Sequence, residues 1–221
     1  MDYIYSEDPV KTAADHLVHA IKDNLAAGKK VLWFLSGGSG IRVVLAAARQ
    51  LQRTDLTNLS VTLTDERYGP VGHEDENWQQ LLDGGFTLPG ANVYRTLIDA
   101  DRVATSDAFG AWIMQQMMSA DYKIGLFGIG SDGHTAGIKP HSAAVNTTAW
   151  ADCYTGEDFE RITITPFTIS QIDEVVLQAT GSDKSDTLRR LLHETVDASE
   201  QPAQTLKTVS VCTLYTDNKE L

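Results

Sequence analysis

The 221-residue sequence predicts an α/β fold, in which a mostly parallel sheet carries helices on both faces. Two observations support this prediction. A short apolar run without polar alternation, such as 31–35, is typical of a strand buried on both faces. Between such runs lie segments whose apolar residues recur at spacings of three and four, as on one face of a helix. Strands that alternate with helices in this way favour parallel pairing.

The first half of the chain is predicted to hold two strands and three helices. Asp8 and Pro9 mark the start of the first helix, because proline favours the first helical position. Gly28 suits the C-terminal end of that helix. Its apolar face comprises Ala14, Leu17, Val18, Ile21 and Leu25. The other elements are a strand at 31–35, a helix at 41–53, a strand at 59–63 and a helix near 77–82.

The second half continues the alternation. A long helix is predicted over 101–118 because its apolar residues share one helical face. The residues of that face are Phe109, Trp112, Ile113 and Met117. The remaining elements are strands at 93–95, 123–127, 161–165, 174–179 and 208–214 and a helix at 185–193.

Composition and charge exclude several classes of protein. Acidic residues number 30 and basic residues 18, so the formal charge is −12, which disfavours nucleic-acid binding through a broad basic surface. No apolar run approaches the ~18 residues of a membrane span. The acidic start of the chain lacks the order of a secretory signal. We expect a soluble, cytoplasmic protein with one domain over 1–221, a monomer or small homo-oligomer without nucleic-acid or membrane partners.

Three predicted strands end in loops rich in glycine or charge, at 36–40, 65–67 and 130–134. Ligands of open parallel sheets bind at the carboxyl ends of the strands, so these loops are expected to meet in one cleft. Gly37, Gly38 and Ser39 precede a helix, where free backbone amides and the positive end of the helix dipole suit a phosphate. No Gly-Lys-Ser/Thr follows, so this is not a Walker A loop. The alternative is that each loop is an ordinary tight turn.

Charged side chains in the other two loops are candidates for catalysis and anion binding. Arg67 can fork onto a phosphate or a carboxylate, and Asp65 lies two residues before it. His134 is a candidate general base, with Asp132 placed to orient its ring and Gly133 permitting the bend between them. The alternative interpretations are a solvated salt-bridge cluster at 65–67 and a surface or core histidine.

Two further cations, Arg161 and Lys184, can reach a phosphate or can be solvated surface charges. Gly128, Gly130 and Gly133 form a formal G-x-G-x-x-G after a strand. A dinucleotide site needs a helix directly afterwards, and Gly137 and Pro140 disfavour one. The histidines form no metal-binding array. We predict neither a metal nor a cofactor.

Taken together, these motifs resemble those of the 6-phosphogluconolactonase family in order and spacing. The resemblance rests on Ser36-Gly37-Gly38-Ser39, on Asp65-Glu66-Arg67 and above all on the segment Gly128–Ala136. The later segments 161–165, 180–184 and 202–203 also look like that family. The resemblance covers about residues 9 to 215. It implies a Rossmann-like three-layer α/β/α fold of the sugar-phosphate isomerase/deaminase type.

The resemblance also implies an activity. Family enzymes hydrolyse 6-phosphoglucono-δ-lactone to 6-phosphogluconate in the oxidative pentose phosphate pathway, without a cofactor. His134 is then the base that activates water, and Asp132 orients it. The phosphate of the small-molecule substrate is held by the Gly37–Ser39 amides with Arg67, Arg161 and Lys184. Asp65 and Gly133 complete the expected substrate site.

Several positions differ from the family's usual motifs. Gly40 replaces threonine, Gly137 replaces serine, and Glu76 replaces the serine of a Ser-Asn pair. Glu76 would weaken phosphate binding if it pointed into the site. Two alternatives therefore stay open: a deaminase-like isomerase acting on glucosamine-6-phosphate, and a binding protein without catalysis. The deaminase resemblance is weakened by Lys139, where that enzyme has a glutamate five residues after the histidine.

Overall fold

The computed structural model describes residues 1–221, with ten strands and six α-helices. The strands are β1 (Asp2–Tyr5), β2 (Val31–Leu35), β3 (Leu59–Leu63), β4 (Asp65–Arg67), β5 (Asn92–Val93), β6 (Tyr122–Phe127), β7 (Ala151–Thr155), β8 (Glu160–Ile164), β9 (Glu174–Ala179) and β10 (Val211–Thr216). The helices are α1 (Pro9–Ala26), α2 (Ile41–Leu51), α3 (Asn77–Asp83), α4 (Arg102–Ser119), α5 (Pro166–Ile169) and α6 (Ser185–His193).

Seven strands form one parallel sheet in the order β1-β10-β9-β6-β2-β3-β5. The predicted parallel sheet with flanking helices is therefore confirmed. β2 lies between β3 and β6, so the chain leaves β2 toward one edge of the sheet and later returns on its other side. Open α/β sheets form a crevice at such a switch point, outside the carboxyl ends of the strands. The loops after β2 and β6 begin there.

Helices cover both faces of this sheet. Alternate residues of β2 point to opposite sides, as a strand requires. Trp33 packs with Leu17 of α1 and Val44 of α2 in one buried cluster. Phe34 packs on the opposite side with Phe109 of α4. All of these side chains are fully buried, which explains the unbroken apolar runs in the sequence.

A second, antiparallel sheet of three strands in the order β4-β8-β7 was not part of the sequence prediction. The prediction that 65–67 is only a loop is wrong, because these residues form β4, with Asp65 paired to Thr163 and Arg67 paired to Arg161. The backbone leaves the main sheet after Thr64, whose N–H still donates to Leu35 O at 2.7 Å. This small sheet places β8 beside the crevice.

Helix boundaries follow from local capping. Asp8 accepts the Lys11 N–H at the start of α1, and Gly28 has φ +75° just beyond its end. Asp101 caps α4 in the same way by accepting the Ala104 N–H. The predicted last strand begins at Val211 instead of residue 208, because residues 202–208 coil into a 3₁₀ helix. None of the helices combines the length and apolar character needed to cross a bilayer.

Candidate active site

A cleft of about 300 Å³ opens at the carboxyl ends of β2 and β6 and is walled on one side by the small sheet. Eight of the ten predicted site residues line it: Gly37, Gly38, Ser39, Asp65, Arg67, His134, Arg161 and Lys184. The expectation that the three loops meet is therefore confirmed. Asp132 and Gly133 do not line this cleft, but they belong to the loop after β6 that carries His134.

His134 and Asp132 are in direct contact. The Nδ1 atom of His134 lies 2.5 Å from Asp132 Oδ1, and the same oxygen accepts the backbone N–H of His134 at 3.1 Å. The His134 side chain lines the cleft, and its Nε2 atom has no hydrogen-bond partner within the chain. A carboxylate on Nδ1 favours the tautomer whose Nε2 is a free acceptor. This geometry suits a general base.

Asp132 remains ionised under ordinary conditions. Partial burial opposes its charge, but hydrogen bonds from His134, the charge of His134 and a hydrogen bond from Lys139 outweigh burial, so the pKa of Asp132 lies well below its usual range. The carboxylate is thus available to hold the ring and to stabilise an imidazolium beside it.

Glycines shape the loop that carries this pair. Gly130 N–H donates to His134 O, and Gly133 N–H donates to Gly130 O, which closes a tight turn. Gly133 has φ +86°, and a Cβ there would lie 2.8 Å from Gln201 Cγ. Gly133 is therefore required by the turn itself and lies on the side away from the cleft.

The loop after β2 forms another part of the cleft wall. Residues 38–40 make one turn of 3₁₀ helix that leads directly into α2, so the first amides of this segment lie before the hydrogen-bonded helix. A Cβ on Gly37 would lie 2.3 Å from the Asn77 amide, so glycine lets Asn77 approach the loop. Asn77 Nδ2 also donates to Asp65 O at 3.1 Å, which ties this wall to β4.

Two arginines converge on the cleft from the small sheet. Arg161 is only 5% exposed and lies between Asp158, at 2.7 Å, and Asp65, at 3.9 Å. Arg67 donates to Asp75 O at 2.9 Å. Both guanidinium groups lie within 6 Å of the Phe159 ring centre. The Nε atom of each is buried without a hydrogen-bond partner, and both side chains line the cleft, where their positive charge suits an anion.

Glu66 has a structural place and does not line the cleft. Its carboxylate accepts the backbone N–H groups of Arg67, Asn77 and Trp78 at 2.7–3.0 Å. It thereby fixes the N-terminus of α3 to β4. Burial raises the pKa of Glu66 to about 8, although the three N–H donors favour its charged form. Because side chains alternate along β4, Asp65 and Arg67 face the cleft while Glu66 faces the interior.

With this geometry in place, the family can be assigned. The family model described as glucosamine-6-phosphate isomerases/6-phosphogluconolactonase matches residues 5–215. The chain belongs to this family. A 6-phosphogluconolactonase from Mycobacterium leprae is 26% identical over 201 residues, which cover 83% of this chain and 81% of that protein.

Solved structures of this family share the fold. A 6-phosphogluconolactonase from Shewanella baltica superposes with a TM-score of 0.82 at 19% identity, covering 97% of this chain and 96% of that one. A monomeric glucosamine-6-phosphate deaminase superposes with a TM-score of 0.79 at 18% identity, covering 99% and 98%. At these identities the likeness shows the fold, and both activities of the family occur on it.

The departures from the family's motifs have local explanations. Glu76 is fully buried, does not line the cleft and accepts both Nε and an amino group of Arg95 at 2.6 Å. Glu76 therefore does not point into the site, which was the condition under which it would weaken phosphate binding. A Cβ on Gly137 would lie 2.8 Å from that of Thr163, and one on Gly40 would lie 2.6 Å from that of Ser36. Each glycine fits a close approach.

Five polar or aromatic residues line the cleft without being among the predicted site residues: Ser36, Asn77, Lys139, Asp158 and Phe159. Lys139 had a signal, because it lies five residues after His134 in the same loop. Asp158 and Phe159 had none, since they reach the cleft only through the turn between β7 and β8, and that hairpin was not predicted.

Proposed function

We propose that the protein hydrolyses 6-phosphoglucono-δ-lactone to 6-phosphogluconate, the lactonase step of the oxidative pentose phosphate pathway, with His134 as the general base. The observation that carries this proposal is the His134–Asp132 pair at 2.5 Å, with Nε2 free in a cleft that also holds cations. The lactonases among the relatives support the choice of substrate.

The reaction needs only a base, water and donors for a developing negative charge. Nε2 of His134 takes a proton from water as its oxygen forms a bond with the lactone carbonyl carbon. Backbone amides or a nearby cation stabilise the resulting oxyanion. The bond between that carbon and the ring oxygen then breaks, and the imidazolium returns its proton to the ring oxygen. Asp132 stays ionised throughout and holds the ring in place.

We assign the phosphate end of the substrate to the cations and backbone amides of the cleft. Arg67, Arg161 and Lys184 line the cleft together with the Gly37–Ser39 segment, whose amides precede α2. Concentrating cations and amides locally makes anion binding compatible with a chain of formal charge −12. The Arg161 guanidinium donates to Asp158 at 2.7 Å and lies 3.9 Å from Asp65, so these two carboxylates position it.

A deaminase-like isomerisation is the second activity known in the family, and one residue argues against it. The deaminase resemblance requires a glutamate five residues after the histidine, where this chain has Lys139. An ammonium cannot take over the proton transfers of a carboxylate at that place, because it is protonated at neutral pH. The lactonase is therefore the activity that these residues support best.

A coupled assay tests the proposal. Glucose-6-phosphate dehydrogenase generates the lactone in place, and 6-phosphogluconate dehydrogenase reports its hydrolysis against the spontaneous background. We expect a rate clearly above background, with His134→Ala reducing kcat roughly 10³-fold and Asp132→Asn roughly 10²-fold. Asp186→Asn is the matched control, since Asp186 contacts only exposed Arg189.

Calorimetric titration with 6-phosphogluconate separates binding from catalysis. His134→Ala should bind this product nearly as well as the wild type. A wild-type protein that binds 6-phosphogluconate without accelerating hydrolysis would be a binding protein and would contradict the proposal. Turnover of glucosamine-6-phosphate in place of the lactone would reassign the site to the deaminase activity.

A further inference from the structure

Lys139 lies between two carboxylates at the rim of the cleft. Its Nζ atom is 3.2 Å from Asp132 Oδ2 and 3.7 Å from Asp158 Oδ2. Asp132 uses its other oxygen to hold His134, and Asp158 also binds Arg161 at 2.7 Å. Charges of alternating sign therefore run from the candidate base to a candidate phosphate ligand, with the ammonium in the middle.

The backbone holds Lys139 in this place. Ile138 is fully buried, and its N–H donates to Thr135 O at 2.9 Å in a tight turn. The N–H of Lys139 donates to the hydroxyl of Tyr154 on β7, which also donates to Gly137 O at 2.6 Å. The Lys139 side chain is 29% exposed, so most of it is packed. Its position between the two carboxylates thus follows from the fold of the loop.

We propose that Lys139 is a positioning residue: it shares the Asp132 carboxylate with His134 and so sets how firmly the imidazole holds a proton. Asp158 in turn sets how closely the Lys139 ammonium approaches Asp132. This inference rests on the proposed function for its catalytic meaning, but the side-chain geometry that carries it does not depend on the substrate.

The direction of the effect follows from electrostatics. The Asp132 carboxylate stabilises an imidazolium on its Oδ1, and an ammonium on Oδ2 offsets part of that stabilisation and repels the imidazolium directly. In a partly solvated site, a nearby like charge shifts a titration by about one pH unit. Lys139 is thus expected to keep His134 unprotonated, and ready to accept a proton, at a lower pH than Asp132 alone would allow.

Other charged groups also face His134. They are Asp65 and Arg67 on β4, Asp158 and Arg161 of the β7–β8 hairpin, and Lys184 before α6. None of them forms an ion pair or a hydrogen bond with the imidazole, whose only such partner is Asp132. Lys139 therefore acts on His134 through a contact that the others lack, namely the shared carboxylate.

The test is an NMR titration of the His134 imidazole in the substrate-free protein, with the resonance assigned by its loss in His134→Gln. Lys139→Met should raise the midpoint by about one pH unit. Lys139→Arg keeps the charge and should leave the midpoint within a few tenths of a unit of wild type. Asp158→Asn should lower it, because the ammonium then settles fully on Asp132. His19, 82% exposed on α1, is the internal reference.

Each outcome decides the proposal. An unchanged midpoint in Lys139→Met, or an equal rise in Lys139→Arg, would overturn the role of the ammonium. A rise in Asp158→Asn would overturn the role assigned to Asp158. If Lys139 and Asp158 had only a structural role, the variants would change protein stability. The His134 titration midpoint would then not rise in Lys139→Met and fall in Asp158→Asn.

The coupled lactone assay adds a second readout. The acid limb of the kcat/KM profile should move with the NMR midpoint, upward in Lys139→Met and hardly at all in Lys139→Arg. If the midpoints shift as stated but no form of the protein hydrolyses the lactone, the proposed function fails and the coupling of Lys139 to His134 stands. If the lactone is hydrolysed and the midpoints do not move, this inference fails alone.

Discussion

A Cβ atom on residue 130 would lie 2.2 Å from Cε1 and Nδ1 of His134, so glycine at this position lets the imidazole lie against the backbone. The same Cβ would lie 2.6 Å from Asp132 Oδ1. Gly130 therefore sets the place of both members of the candidate catalytic pair, although it carries no functional group.

Gly130→Ala is expected to displace the imidazole and lower kcat/KM for the lactone roughly 10²-fold, because a shift of about 1 Å at a catalytic group has an effect of that size. The coupled assay measures the loss, and circular dichroism checks the fold. Gly128→Ala is the matched control in the same loop, since a Cβ there meets only Ser36 Oγ at 3.8 Å. Equal losses in the two variants would contradict this account.

Arg161→Met is expected to affect both binding and stability. It removes a cleft donor and leaves the buried Asp65 without its cation, so we expect a free energy of unfolding lower by about 3 kcal/mol. Affinity for 6-phosphogluconate should fall roughly tenfold or more. Urea unfolding and calorimetry measure the two effects.

Arg102→Met provides the comparison for Arg161. Arg102 of α4 pairs at 2.7 Å with Glu160 of β8, the strand that also carries Arg161. This pair lies outside the cleft and partly in solvent. Its removal should cost less than about 1 kcal/mol and leave ligand affinity unchanged. Wild-type affinity in Arg161→Met would remove Arg161 from the phosphate site.

Glu76→Gln tests whether Glu76 is structural. The buried carboxylate binds Arg95 through both oxygens and accepts the Gly72 N–H at 2.6 Å. The variant should unfold about 2 kcal/mol more easily, because one of these partners loses its acceptor. Affinity for 6-phosphogluconate should stay within twofold of wild type. Clearly tighter binding in the variant would show that the Glu76 charge does reach the ligand.

Glu66 is expected to give stability a specific pH dependence. Its folded pKa of about 8 lies above the ordinary value of 4.5, so the folded protein keeps this proton at pH values where the unfolded chain has lost it. The contribution to stability is full below pH 4.5 and is lost as pH rises toward 8. Relative to Glu66→Gln, the free energy of unfolding of the wild type should fall between pH 5 and 8 in urea titrations. A constant difference would mean that the three N–H donors keep the carboxylate ionised.

Much of the fold and part of the site could be predicted from local patterns. The strands at 31–35 and 59–63 have the observed bounds: the first is an unbroken apolar run buried on both faces, and the second alternates apolar and polar residues as a strand does. Gly37, Arg67 and His134 were expected in one cleft because parallel strands bring their carboxyl ends to one edge of the sheet. The β7–β8 hairpin was not predicted, because β7 mixes apolar and polar residues without a clear period.

The sequence by itself determined the layered α/β architecture, the loop that holds Asp132 beside His134, and the placing of glycines where the chain turns. These features depend on residues close together in the chain, so a local pattern records them. Only the tertiary structure decided that Glu66 is buried against the Asn77 backbone and Glu76 against Arg95. The same holds for the contacts of Asp158 with Arg161 and of Lys139 with Asp132. The direction in which a charged side chain points depends on partners contributed by other elements, and the spacing of residues along the chain does not encode those partners.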